Sequence, residues 1–307
     1  MLCQWYVATI GVANLDLALA FWIDAVGYEV VSSTEGSDTG LAQQWNIEPS
    51  SVKCQALIAP PGAAHGHLHL IQMHEPGPSV RSNAAVFDSC PKNIDIYVTD
   101  IGLRVDALKA LGYSFRSTTH SEVTANDGTR FREMHIGIHD DINLVLLELP
   151  DQPIYTNMKG FGAIGPIICV VPNVAQEKLF YHDILGLELL ADNFFEGTDI
   201  ERMIGLPPGA GLDVSIWGQE GEREAQLELV EYTGVNGDTR FSLATLPNCG
   251  LHQVCFKTPH ASEIAAKAKS SNNIVIYRGE LHTLAVSGEC WSIYTPAGMR
   301  IDVMVSS

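Results

Sequence analysis

Three apolar runs in the second half of the chain each carry one residue able to do chemistry. They are Glu228 in Leu227-Glu228-Leu229-Val230, His252 in Leu251-His252-Gln253-Val254, and Asp302 in Arg300-Ile301-Asp302-Val303. Two carboxylates and one imidazole make a competent oxygen and nitrogen donor set. Three protein ligands with open positions for water or substrate are the form a catalytic metal site takes. Either carboxylate could also work as a general base. Each residue has an ordinary alternative too. Glu228 alternates with leucines and could face solvent on a half-buried strand. Asp302 could be a strand-edge charge, and His252 a packed, hydrogen-bonded core histidine. What decides is whether the elements that carry them bring them together.

Those elements repeat. Tyr6 to Val12 is an apolar run that leads through Asn14 into Leu15-Asp16-Leu17-Ala18-Leu19-Ala20-Phe21-Trp22, then to Gly27 and a further strand-like run. Asparagine is a favoured helix cap, the apolar spacing is helical, and glycine is a natural helix stop. The same pattern returns as Ile167 to Val171, Asn173, Val174 to Tyr181 and Gly186. Asn14 matches Asn173, Phe21 matches Phe180 and Gly27 matches Gly186 at one constant offset. Weaker copies begin near Asn93 and His252, equally far from Val7 and Pro166 respectively. Each copy predicts a strand, a helix and then about three strands, so the chain is a tandem duplication of a duplicated unit. The polar, proline-containing stretch 150–159 predicts a linker, which divides the chain into residues 1–149 and 160–307.

Bulk properties narrow the function classes. At 307 residues about two domains are expected, and 46% hydrophobic residues suffice for ordinary cores. A net charge of −18 argues against nucleic acid or an anionic membrane as partner. No apolar stretch is long enough to span a membrane, and the N-terminus lacks the basic and apolar regions of a secretory signal. Seven scattered cysteines with no CxxC pair read as reduced thiols of a cytoplasmic protein. A small-molecule substrate is the expected partner, with room for a homo-oligomer. No phosphate-cradling glycine loop, Ser/His/Asp nucleophile motif or zinc-type cysteine spacing is present.

The fourfold repeat, its Asn-helix-aromatic-Gly signature and the Pro-x-Gly turn in Thr295-Pro296-Ala297-Gly298 resemble the vicinal oxygen chelate superfamily. That group contains glyoxalase I, methylmalonyl-CoA epimerase, bleomycin- and fosfomycin-resistance proteins and the extradiol dioxygenases; the two-domain size is most similar to the last. The resemblance covers nearly the whole chain. It implies an α+β fold of four tandem βαβββ modules forming two eight-stranded cup-shaped sheets with helices outside. It also implies one cup per half, with the ligand site inside the C-terminal cup.

In this superfamily up to four metal ligands come from the first and last strands of two paired modules. The resemblance places these positions at Pro166, Glu228, His252 and Asp302, and in the first half at Val7, His69, Asn93 and Asn143. The first-half set is poor in donors and implies a scaffold. Pro166 cannot ligate, so the second-half set is one histidine with two carboxylates. Such a set suits Mn, Ni, Zn or Mg better than the Fe of a two-histidine, one-carboxylate dioxygenase. The implied chemistry is metal-assisted proton transfer of isomerase, epimerase or lyase type on a small oxygenated metabolite. Glu228 or Asp302 would be the base, and His282 and Tyr294 would lie near the same cup. An extradiol-like dioxygenase with an altered metal site and a metal-free binding or resistance protein are the alternatives. The run before His65, His67 and His69 predicts a solvated hairpin, and Phe180, Tyr181 and Trp217 are expected in the core.

Overall fold

The unit read from the sequence is built four times in a computed structural model of the chain, which describes residues 2–117 and 120–305. Module one contains β1 (Val7–Val12), helix α1 (Leu15–Leu19), β2 (Glu29–Glu35), helix α2 (Thr39–Trp45), β3 (Val52–Ala59) and β4 (His67–Met73). Module two contains β5 (Cys90–Val98), α3 (Ile101–Ala110), β6 (Ser121–Thr124), β7 (Arg130–Gly137) and β8 (Asn143–Glu148). Module three contains β9 (Phe161–Val170), α4 (Val174–Leu179), β10 (Glu188–Glu196), α5 (Thr198–Ile204), β11 (Gly211–Gly218) and β12 (Leu227–Thr233). Module four contains β13 (Gly250–Lys257), α6 (Ala261–Ser270), β14 (Val275–His282), β15 (Ser287–Tyr294) and β16 (Arg300–Met304).

The duplicated signature is duplicated in geometry. The Asn14 side chain accepts a hydrogen bond from the Leu17 amide at 3.2 Å, and Asn173 accepts one from Gln176 at 3.0 Å. Each cap satisfies a backbone donor that the first helical turn leaves unpaired. Both helices then widen into a π-helical turn, Ala20–Val26 and Phe180–Leu185, and stop at Gly27 and Gly186 in the left-handed conformation, φ 87° and 69°. The widened turns press Phe21, Trp22, Phe180 and Tyr181 into the core, as expected of the aromatic pairs; Trp217 is buried there too.

The strands form two eight-stranded sheets, ordered β14-β15-β16-β13-β1-β4-β3-β2 and β10-β11-β12-β9-β5-β8-β7-β6. The first unites modules one and four, the second modules two and three. Consecutive modules in each half therefore do not share a cup, and the expected division into cups at residues 1–149 and 160–307 is not how the strands pair. The 150–159 segment turns the chain so that β9 lies antiparallel beside β5. The first strands of modules one and four then pair with each other, β1 antiparallel to β13, which leaves neither edge open. A repeat is silent on this choice, because every module offers the same first-strand edge. The convex faces pack on the helices and on one another in a continuous core that includes Ile10, Ile94, Ile96, Ile164, Ile167 and Val254. The concave faces are the two cups.

Candidate active site

The expected triad is divided between the cups. Glu228 lies on β12 in the sheet of modules two and three, while His252 and Asp302 lie on β13 and β16 in the other sheet. The strand registers show why the repeat offset misled. Across one sheet Glu228 stands opposite Ile168, Ile168 opposite Asn93, and Asn93 opposite Asn143. The matching row in the other sheet is His69, Thr9, Gln253 and Arg300. A register shift between Thr9 and Ile10 bulges β13 at His252 and puts Gln253 in the row. Arg300, not Asp302, completes it.

His252 is a packed core histidine. Its Nε2–H donates to the Asn248 carbonyl at 2.9 Å and its ring meets Trp45 edge-on at 5.7 Å. Burial holds it down to about 4, neutral at physiological pH. Asp302 is fully enclosed and neutralised by its neighbour. Arg300 donates to both its oxygens, each at 2.8 Å, and Gln44 of α2 adds a third bond at 2.9 Å. The Arg300 guanidinium stacks over Trp45 at 4.1 Å. Gln44, Trp45 and Arg300 plug this cup, and His69 is occupied by Gln55 at 2.6 Å. His67 and His69 are buried on β4 rather than solvated in a hairpin, because the strand begins two residues after His65. His282 is exposed and bonded to Ser287 at 2.7 Å. Tyr294 stands half-buried at the end of β15, opposite Arg300. Neither reaches the open cavity of the molecule.

That cavity occupies the cup of modules two and three. Its volume is about 320 Å³, and Glu228 lines it. Edge strands β6 and β10 are drawn together where the Asn126 amide donates to Asn193 Oδ1 at 2.8 Å, so the sheet curls into a half-barrel. Helix α5 covers the mouth with Ile200, Met203 and Ile204. Ile168, Val214 and Val230 form an apolar wall. Opposite lie polar groups that alternate along two strands, Asn93 and Asp95 on β5 with Glu133 and His135 on β7.

The polar side is tightly ordered. The Asn143 amide nitrogen donates to Asn93 Oδ1 at 2.9 Å and contacts His135 Nδ1 at 3.0 Å. Nδ1 must then accept, so the proton of neutral His135 is on Nε2, 3.7 Å from the Glu133 carboxylate. Asp95 Oδ1, His135 Nε2 and Asn143 Oδ1 are buried with no hydrogen-bond partner among the described residues. Burial raises Asp95 well above the usual carboxylate range, helped by Glu228 and Glu133; burial and then Glu133 raise Glu228. Lys92 donates to the Tyr232 hydroxyl at 2.7 Å, and burial, with Arg81 nearby, lowers it to about 7. Tyr232 itself lines the cavity.

The metal ligands that the resemblance implies do not come together. Glu228 is in a different sheet from His252 and Asp302, and Asp302 already carries a guanidinium. Among the described residues no group of three His, Cys, Asp or Glu side chains is placed to hold a metal ion. Among the described residues two histidines and a carboxylate do not converge either, so no dioxygenase triad is seen there. The residues that do converge, Asp95, Glu133 and His135 beside Glu228, were marked in the sequence only by alternation. In Asn93-Ile94-Asp95-Ile96-Tyr97-Val98 every second residue is apolar for the core, which aims Asp95 into the cup.

The sequence matches no family model and no curated protein. Solved structures show the fold. Glyoxalase I from Zea mays superposes with a TM-score of 0.66 at 13% identity, over 98% of this chain and 92% of that one. A Bacillus subtilis protein described as a dioxygenase superposes with a TM-score of 0.63 at 10% identity, over 99% of this chain and 85% of that one. With these likenesses and four βαβββ modules in two cups, the chain has the vicinal oxygen chelate fold.

Proposed function

We propose that the protein is an enzyme acting on a small oxygenated metabolite in the cup of modules two and three, by proton transfer of isomerase, epimerase or lyase type. The observation that carries this reading is the cavity itself, with two carboxylates reaching it from strands on either side of β9. Adjacent strands are about 4.8 Å apart, so Asp95 and Glu228 stem from backbones roughly 10 Å apart and flank a ligand between them. Burial and the neighbouring carboxylates raise both groups, so each resists ionising while its neighbours are charged. Asp95 is assigned as the acid and Glu228 as the base, the role the resemblance gives it. His135 Nε2–H offers a donor to a substrate oxygen. The apolar wall and α5 keep bulk water from the proton in transit. No step is assigned to a metal, because the implied ligands do not meet.

Proton transfer at carbon leaves a signature in D2O. The protein should catalyse Glu228-dependent deuterium wash-in at a C–H beside a carbonyl in a panel of amino ketones, hydroxy ketones and acyl thioesters, followed by NMR. Glu228→Gln should lower the rate 10²–10⁴-fold, the usual worth of a general base, while His282→Ala leaves it unchanged. A second reading, a metal-free small-molecule binding protein, draws on the engagement of His252 by Asn248 and of Asp302 by Arg300. It is favoured if the wild type binds members of the panel and exchanges none.

A further inference from the structure

Resting on the cup of modules two and three as the ligand site, we infer that its ligand carries a positive charge on an apolar body: an organic amine whose ammonium sits among Asp95, Glu133 and Glu228. All three carboxylates line one cavity. Among the described residues no lysine or arginine nitrogen lies within 4.0 Å of any of them, and Glu133 has only His135, at 3.7 Å. The nearest buried cation, Lys92, spends its hydrogen bond on Tyr232.

An unsatisfied atom points the same way. Asp95, which lines the cavity, is 2% exposed, yet its Oδ1 is an acceptor with no donor among the described residues. A buried acceptor left unpaired is costly, and a ligand that brings an N–H donor relieves it. An ammonium does so and also supplies the missing charge, which a hydroxyl cannot.

The other cup shows the same need met from within. There the row position facing Gln253 is Arg300, whose guanidinium neutralises Asp302 and fills the interior against Trp45. In the open cup the position facing Asn93 is Asn143, an uncharged and shorter side chain. One cup pairs its carboxylate with a cation from within; in the other Arg223 lines the cavity with an exposed side chain, and among the described residues it pairs with none of the three carboxylates. The apolar wall of Ile168, Val214 and Val230 defines the rest of the ligand.

The test uses the full-length protein and three probes of nearly equal shape: 2-phenylethylamine, 2-phenylethanol and phenylacetate, titrated by calorimetry, with MnCl2 as a fourth arm. The amine should bind at least tenfold more tightly than the alcohol, and phenylacetate and Mn2+ should not bind. Asp95→Asn and Glu133→Gln should each shrink the amine-to-alcohol preference severalfold, with thermal unfolding confirming that both variants are folded. Val214→Trp, which fills the cavity, should abolish amine binding. Equal binding of amine and alcohol, both lost in Val214→Trp, would overturn the positive charge and leave the cup as the site. Preferential binding of phenylacetate or of Mn2+ would overturn the organic cation. Probe binding that survives Val214→Trp, or no binding at all, would overturn this inference and count against the cup as well.

Discussion

Arg300 is the residue on which the two cups diverge. Its guanidinium is 5% exposed and Asp302 is 0% exposed, so neither charge has water to fall back on. Removing one partner of such a pair leaves an uncompensated buried charge and costs about 3–5 kcal/mol, whereas replacing both with apolar groups is often neutral. Arg300→Ala should therefore lower stability by about that amount in urea unfolding, and Arg300→Met with Asp302→Leu should recover most of it. Proton exchange or ligand binding in the other cup should be untouched by the double variant. The same residues show what a single sequence conceals. Asp302 looks like a ligand because its partner sits two positions earlier on the same strand, and side chains two apart on a strand share a face. Nothing in the order of residues says whether such a pair grips each other or a third body. Glu228 was legible as a strand carboxylate whose alternation with leucines left its face open, and the resemblance, not the alternation, turned it inward. Its true neighbours Asp95 and Glu133 were not, because they come from a module the repeat arithmetic had set aside as scaffold.

Among the elements, α4 and the turn before β16 are joined by a single buried carboxyl. Glu177 on α4 accepts a hydrogen bond from the Ala297 amide at 2.6 Å, while its second oxygen has no partner among the described residues. Burial, only partly offset by the bonds from Ala297 and Thr295, pushes Glu177 up to about 7 from its ordinary 4.5. The folded state thus holds a proton that the unfolded state releases between these values. The sign follows: below about pH 4.5 both states are protonated and there is no penalty, and stability falls as pH rises from about 4.5 to about 7. Glu177→Gln should leave stability at pH 4.5 nearly unchanged and raise it by about 1–3 kcal/mol at pH 8, read from denaturant midpoints. A variant equally destabilised at both pH values would contradict the protonated, buried carboxyl. The helix caps and glycine stops were fully legible, because capping is local chemistry. The bulge at His252 was not, since it depends on how β13 meets β1 from the far end of the chain.

At the scale of the whole molecule, each cup takes one module from either half. β5 and β9 form one seam, β1 and β13 the other, and a single hydrophobic core backs both sheets. Residues 1–155 or 156–307 expressed alone should therefore lack a cooperative thermal transition, because each half would expose two first-strand edges and half of the core. Mixed, the halves should restore one transition and the cavity. Independent, cooperative folding of either half would contradict the observed pairing. The fold class was legible because four copies of one unit at regular spacing admit few architectures; the partner of each copy was not, because identical edges compete on equal terms.

The central claim is that the ligand site is the open cup between Asp95 and Glu228, and that the cup holding His252 and Asp302 is closed by its own arginine. The most direct measurement is a crystal structure of the full-length protein soaked with the small-molecule panel used for proton exchange. Density is expected inside the half-barrel of modules two and three, within hydrogen-bonding distance of Asp95 or Glu228, with the Arg300–Asp302 pair intact. Density in the other cup, with α2 displaced and Arg300 swung away from Asp302, would contradict it.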